Sequence, residues 1–151
     1  MKKSEWGPLV WKVLHCMTIK IKDEEFQNER ENIIQMISGI CSNLPCPQCA
    51  SHASGLIKKY KLRDVKTKND IIKFVYLMHN QVNKRLKKQF YSFEKIEEYE
   101  HFNMKSLLND YYNMNLKAKY NEKMMLHTYH RKTFMKTFCD YFKNNISKFN
   151  Q

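Results

Sequence analysis

An all-α fold follows from three features of the chain. Its 151 residues hold only three glycines and three prolines, and Pro8, Pro45 and Pro47 all fall in the first third. Lys, Leu, Ile, Met and Asn are abundant, so breakers are few and helical segments go uninterrupted. Apolar side chains also recur at helical spacing, most clearly at Ile71, Phe74, Val75, Met78, Val82 and Leu86. A hydrophobic share of 42% with 13% aromatics marks a chain that buries a core. Its length suits one ordinary domain that needs no disulfide staples.

The elements follow in order. Pro8 suits the first position of helix one, ahead of Leu9, Val10, Val13 and Leu14. Helix two is expected over about Asp23–Asn43. Its acidic opening Asp23-Glu24-Glu25 complements the positive end of the helix dipole, and Phe26, Ile33, Ile34, Ile37 and Ile40 form its stripe. Pro45 and Pro47 stop that helix and start the next, which places Cys46 and Cys49 in the first turn of helix three, ending near Tyr60. Thr67-Lys68-Asn69-Asp70 has capping-box spacing and opens helix four. A short helical stretch around Phe93–Phe102 follows, and Asn103–Gln151 reads as a basic, Met- and Tyr-rich helical extension. The sum is a four-helix bundle with a short fifth helix and a helical appendix.

The net charge of +12 comes from Lys and Arg scattered between Lys2 and Lys148, which reads as solvated helix faces; a nucleic-acid-binding helical domain is a weaker reading of the same charge. The opening segment is broken by Pro8, Lys12 and His15, so it does not form the apolar core of a signal peptide, and no stretch reaches transmembrane length. A cytoplasmic protein with no membrane association is expected. In that compartment a Cys-x-x-Cys pair points to redox or metal chemistry ahead of a structural disulfide.

Cys46-Pro47-Gln48-Cys49 supports both. A helix N-terminus stabilises a thiolate, and two sulfurs almost one turn apart can exchange a disulfide. Alternatively, Cys41, Cys46, Cys49 and His52 supply a Cys3His set for zinc, with His15 in reserve, and the chain would be a small zinc-binding helical interaction module. The rest of the sequence favours redox chemistry. Trp11 and His15 lie four apart on helix one, and His79, Asn80 and Asn83 embed an imidazole and two amides in the apolar helix four. Such groups ask for a buried polar partner. A planar aromatic ligand rich in acceptors meets that need, with Lys84, Lys87 or Lys88 available to a pyrophosphate.

Trp11-x-x-x-His15, then Pro45-Cys46-x-x-Cys49-x-x-His52, then His79-Asn80-x-Val82-Asn83 together resemble the flavin-linked sulfhydryl oxidases of the Erv and augmenter-of-liver-regeneration (ALR) family, specifically the forms of large DNA viruses. The match runs from about Trp6 to Phe102. It implies an Erv/ALR-like bundle that binds FAD, usually as a homodimer. It further implies an FAD-dependent thiol oxidase that makes disulfides in client proteins with reduced cysteines and passes the electrons to molecular oxygen, giving hydrogen peroxide. Residues 1–102 would be the FAD-binding domain, and residues 103–151 a helical extension packed on or near it.

Carried over by position, the resemblance gives Cys46 the exchange with the client thiol and Cys49 the place against the flavin ring. Trp11, His15, His79, Asn80, Val82, Asn83 and Lys84 match FAD-contacting positions, with His79 and Asn83 near the adenine and ribose. Leu86 and Lys88 complete that signature, Lys88 serving the phosphates. His52 falls three residues after the second active-site cysteine, as in some members, and Tyr99 matches the aromatic after the short helix. No metal is implied, and no nucleic acid is required.

Two departures carry their own expectations. Gly7 stands where members commonly have Arg, so Trp6 or backbone contacts are expected there instead. Tyr76 and Phe93 stand where many members have a disulfide, and an aromatic contact is expected in its place. Many members also carry a second, shuttling dithiol. Beyond the first fifty residues this chain has only Cys139, so direct reduction of Cys46–Cys49 by the client is expected, with Cys139 and Cys16 structural. Cys41 is core or a thiol near the active pair. His127 and His130 read as a solvated face.

Overall fold

A computed structural model describes residues 1–117 and 124–151; residues 118–123 of the expected helical extension lie outside the described residues. Among the described residues six α-helices carry the fold: α1 (Lys3–Lys20), α2 (Phe26–Ser42), α3 (Pro47–Lys59), α4 (Lys68–Arg85), α5 (Met104–Leu116) and α6 (Met125–Asn145). A 3₁₀ segment, Phe93–His101, stands where the short fifth helix was expected. The described residues contain no strand beyond an isolated antiparallel bridge between Ile21 and Phe149.

The helix starts follow from local chemistry. At α4 the Thr67 hydroxyl accepts from Asp70 N–H at 3.1 Å and the Asp70 carboxylate accepts from Thr67 N–H at 3.3 Å, the expected reciprocal box. At α2 the acidic opening forms a 3₁₀ turn, Asp23–Glu25, before the α-helix begins at Phe26. Helix one differs from expectation. It begins at Lys3, so Pro8 lies inside it and not at its first position. The earlier start is held by the Glu5 carboxylate, which accepts from Lys2 N–H at 2.7 Å, and by Trp6, whose burial draws the first turn onto the core. Pro8 is the sixth residue of this helix, so its missing N–H removes the i→i−4 bond to Ser4 C=O.

α1 packs against α4, α5 and the 3₁₀ segment, while α2 packs against α3 and α6. One buried cluster runs through them, from Val13, Ile33, Ile37 and Val75 to Met104, Tyr111, Phe138 and Phe149. The C-terminal segment joins this core by polar contacts as well. Buried Glu29 of α2 accepts from the Tyr141 hydroxyl and from Lys148 Nζ, each at 2.9 Å. Gly39 of α2 lies against the Phe134 ring, where a Cβ would overlap it. Among the described residues no helix is long and apolar enough to cross a membrane.

Candidate active site

The sequence Pro45-Cys46-Pro47 builds a thiol site at the start of α3. Cys46 is the extended N-cap residue and Pro47 takes the first helical position, where its missing N–H has no partner to lose. Cys46 Sγ accepts from Cys49 N–H at 3.2 Å, and the two sulfurs lie 2.6 Å apart with the Cys49 thiol donating. Both thiols are free and half-buried.

The two sulfurs are not equivalent. Burial acts to raise the Cys46 thiol, but the Cys49 thiol, the backbone N–H groups of Cys49 and Gln48, and the charge of Lys3 outweigh it and hold Cys46 below its ordinary value. Burial and the adjacent Cys46 sulfur push Cys49 up, with Lys3 opposing. Burial carries Cys16 and Cys41 to about 12, and burial with Asp140 raises Cys139. Of the five cysteines, only Cys46 is biased toward thiolate.

The pair opens onto a cavity of about 540 Å³. Trp11 and His79 both line it, their rings stacked face to face at 4.1 Å and 8°. Tyr91 stacks on His79 at 4.8 Å, and Tyr99 stacks on His15 at 4.4 Å. His52, Val82, Asn83, Leu86, Lys88 and Tyr99 also line the cavity. His52 is lowered by burial and then by the charge of Arg85.

His15, Asn80 and Lys84 are not among the lining residues. His15 is wholly buried behind His79, with His15 Nε2 at 2.9 Å from His79 Nδ1. Burial first, and His79 next, lowers His15 to about 3; burial and then Lys88 lowers His79 to about 4. Both rings are therefore neutral at pH 7. His15 Nδ1 has no partner, and a buried lone pair without a donor is better tolerated than a buried N–H without an acceptor. We therefore assign the shared proton to His15 Nε2, which leaves His79 its Nε2–H as a donor.

Asn80 works on the backbone. Its amide donates to Tyr91 C=O at 3.0 Å and accepts from Tyr91 N–H at 2.8 Å, which fixes Tyr91 against His79. Asn83 Nδ2 donates to Gln89 C=O at 3.2 Å. α4 closes in a Schellman arrangement: Lys88 N–H reaches Asn83 C=O at 2.8 Å and Lys87 N–H reaches Lys84 C=O at 3.2 Å. Lys87 takes the left-handed conformation, φ 57°, that usually falls to glycine. This turn carries Lys88 to the cavity and leaves Lys84 exposed.

Lining residues that the sequence motifs did not single out include Lys3, Ala53, Arg85 and Gln89. Lys3 reaches the thiols from the far end of α1, a contact no local spacing reveals. Trp6 and Gly7 also line the cavity. His127 is a correction to the solvated-face expectation. Half-buried on α6, it donates Nε2–H to Leu44 C=O at 2.6 Å, two residues before Cys46. Among the described residues no three His, Cys, Asp or Glu side chains gather as a metal site, so Cys41, Cys46, Cys49 and His52 do not form a zinc set.

A family model, Erv1 / Alr, matches residues 8–102, which contain both thiols and most of the cavity wall. The chain belongs to the Erv1/Alr family. It is 34% identical over 104 residues to the FAD-linked sulfhydryl oxidase of African swine fever virus (isolate Tick/Malawi/Lil 20-1/1983), covering 69% of this chain and 84% of that protein. It is 32% identical over 89 residues to the FAD-linked sulfhydryl oxidase ERV2 of Saccharomyces cerevisiae, covering 59% of this chain and 45% of that one. The FAD-linked sulfhydryl oxidase ERV1 of Oryza sativa subsp. japonica is 23% identical over 96 residues, covering 64% and 49%. Within this Erv1/Alr member, α5 and α6 fall beyond the matched region.

Proposed function

We infer that this Erv1/Alr enzyme does its thiol chemistry through Cys46 and Cys49. The enzyme is a flavin-linked sulfhydryl (thiol) oxidase with FAD as cofactor. The observation that carries the site assignment is one geometry: two sulfurs 2.6 Å apart, only one of them biased toward thiolate, on the wall of a cavity faced by the Trp11–His79 stack.

The cavity fits FAD. Its volume lies in the usual range for cofactor sites, and its wall of stacked rings suits a planar heterocycle. His79 Nε2–H is a donor without a protein partner among the described residues, and Lys88 with Arg85 supplies positive charge for a pyrophosphate. Trp11, His79, Val82, Asn83, Leu86, Lys88, His52 and Tyr99 would hold the cofactor directly. His15 and Asn80 would orient His79 and Tyr91 from behind. When bound, FAD would supply the two-electron acceptor for the reduced dithiol, with oxygen as the final acceptor and hydrogen peroxide as the product.

The chain's own residues perform the exchange. A client thiolate attacks Cys46 of the Cys46–Cys49 disulfide, forming a mixed disulfide and releasing Cys49 as thiolate, with Lys3 near to receive that charge. A second client thiolate then attacks the client sulfur of the mixed disulfide. The client disulfide closes and Cys46 departs as thiolate, stabilised by the N–H groups that open α3 and by Lys3. The net change is one disulfide gained by the client and two thiols gained by the enzyme. Clients would be cysteine-bearing proteins in a reducing cytoplasm, acting without a shuttle dithiol. The enzyme would work as a homodimer, with residues 1–102 as the redox unit and residues 103–151 as an added layer.

The test is Cys49→Ser with its flavin spectrum and oxygen uptake measured on one sample. Full flavin content with no turnover on dithiothreitol is expected, while Cys139→Ser keeps turnover on a reduced protein client. Turnover retained by Cys49→Ser, or colourless wild-type protein carrying stoichiometric zinc, overturns the assignment.

A further inference from the structure

A second cavity, about 460 Å³, lies between α5 and α6 and shares no lining residue with the first. Arg131 of α6 lines it and is only 6% exposed. Its Nη2 donates to the neutral Asn115 Oδ1 at 2.8 Å, its Nε has no hydrogen-bond partner, and no carboxylate pairs with it among the described residues. A buried guanidinium without an anion is a costly arrangement, because desolvation is not repaid by a counter-charge. Burial accordingly lowers Arg131, with only Tyr111 acting against it. Lys132 and Lys136 line the same cavity, and one carboxylate, Asp140, stands against the three cations. That balance suits a dianion better than a monoanion. A guanidinium and two ammonium groups on one cavity lining, together with Thr128, match the acceptor-rich surface of a phosphate.

We propose that the α5–α6 cavity, centred on buried, carboxylate-free Arg131, binds a phosphate group, either free or as the monoester of a small molecule. The site lies outside the redox cavity and beyond the region matched by the Erv1/Alr family. It gives the C-terminal helices a ligand of their own.

The test is calorimetric titration of the FAD-loaded protein with inorganic phosphate, with sodium chloride raised to the same ionic strength as the blank. One saturable site per chain is expected. Arg131→Met should weaken it by about tenfold or more, the loss of a charge-assisted pair. The double variant Lys132→Ala/Lys136→Ala, which changes two exposed side chains and leaves the buried contacts in place, should weaken it severalfold. Flavin content and dithiothreitol oxidation should be unchanged in both, which separates loss of the site from loss of the fold or of the redox centre. Tighter binding of glycerol 3-phosphate than of inorganic phosphate would assign the site to a monoester, and the reverse order to free phosphate. No saturable binding, equal binding by the double variant, or acetate binding as tightly as phosphate would overturn the proposal.

Discussion

His15 Nε2 and His79 Nδ1 lie 2.9 Å apart, and burial keeps both rings neutral, with pKa values lowered from 6.5 to about 3 and about 4. In the unfolded chain both take up a proton as pH falls through 6.5; in the folded chain neither does until much lower. Below 6.5 the unfolded state therefore binds more protons, and stability falls with pH from about 6.5 down to about 4. Each histidine contributes a slope of up to about 1.4 kcal/mol per pH unit in that window. Urea titrations at pH 7, 6 and 5 on wild type and His15→Gln should differ by about one histidine's slope. Identical slopes would mean that His15 is protonated in the fold.

The bias at Cys46 predicts an order of reactivity. Iodoacetamide at pH 7 should label Cys46 ahead of Cys49 and leave Cys16 and Cys41 untouched until the protein unfolds, because burial holds those two at about 12. Lys3→Gln removes a charge that favours thiolate at Cys46 and should slow its labelling at pH 7 while leaving the helix start at Glu5 intact. Peptide mapping after timed quenching reads both. Cys49 labelled first would reverse the roles assigned to the pair.

The local chemistry of this chain was legible because its strongest signals are short in range. Pro47 after Cys46 sets the α3 start, and Thr67 with Asp70 sets the α4 start; each involves residues within one helical turn. The spacing of Trp11 with His15, and of His79 with Val82 and Asn83, likewise put chemistry-bearing residues on single helices before their partners were known. What escaped is the traffic between segments. Lys3 meets the thiols, Asn80 pins Tyr91, and His127 reaches Leu44 only because separate elements fold together. Pattern reading placed Asn80 in the cofactor wall because it shares a helix with His79, yet one residue along a helix turns a side chain about 100° away. The start of α1 was misplaced for a related reason: Trp6 is helical through its burial, a tertiary effect that outweighed the usual preference of Pro8.

Tyr76 and Phe93 meet edge to face at 5.2 Å and 84°, tying α4 to the 3₁₀ segment at the positions where other family members were expected to carry a disulfide. An aromatic pair of this geometry contributes about 0.5–1.5 kcal/mol beyond the area it buries. A double-mutant cycle with Tyr76→Leu and Phe93→Leu should recover a coupling near the lower end of that range, since Phe93 is partly exposed. The contact also orders the segment that holds Tyr99 against His15, so the double variant should bind flavin less tightly than wild type. Zero coupling in urea unfolding would show that the rings touch without stabilising the fold.

Gly39 and Gly55 both lie inside helices, yet adding a methyl should have opposite effects. At Gly55, exposed on α3, a Cβ meets nothing within 4 Å, so Gly55→Ala trades backbone freedom for helix propensity and should stabilise by about 1 kcal/mol. At Gly39 the same propensity gain is available, but a Cβ would overlap the Phe134 ring of α6. Phe134 is half-buried against the core and packs on Phe138 at 5.9 Å, so moving it aside gives up part of the α6 packing. Overpacking of this kind costs about 1–3 kcal/mol, which outweighs the propensity term. Gly39→Ala should therefore lower the melting temperature by several degrees while Gly55→Ala raises it. The strain falls on the face where α6 docks, so Gly39→Ala should also loosen the His127–Leu44 bond and speed proteolysis within 124–151. Phe134→Ala, which makes room for the new methyl, should restore part of the loss in the double variant. A Gly39→Ala protein as stable as wild type would show that α6 does not rest on α2 at this point.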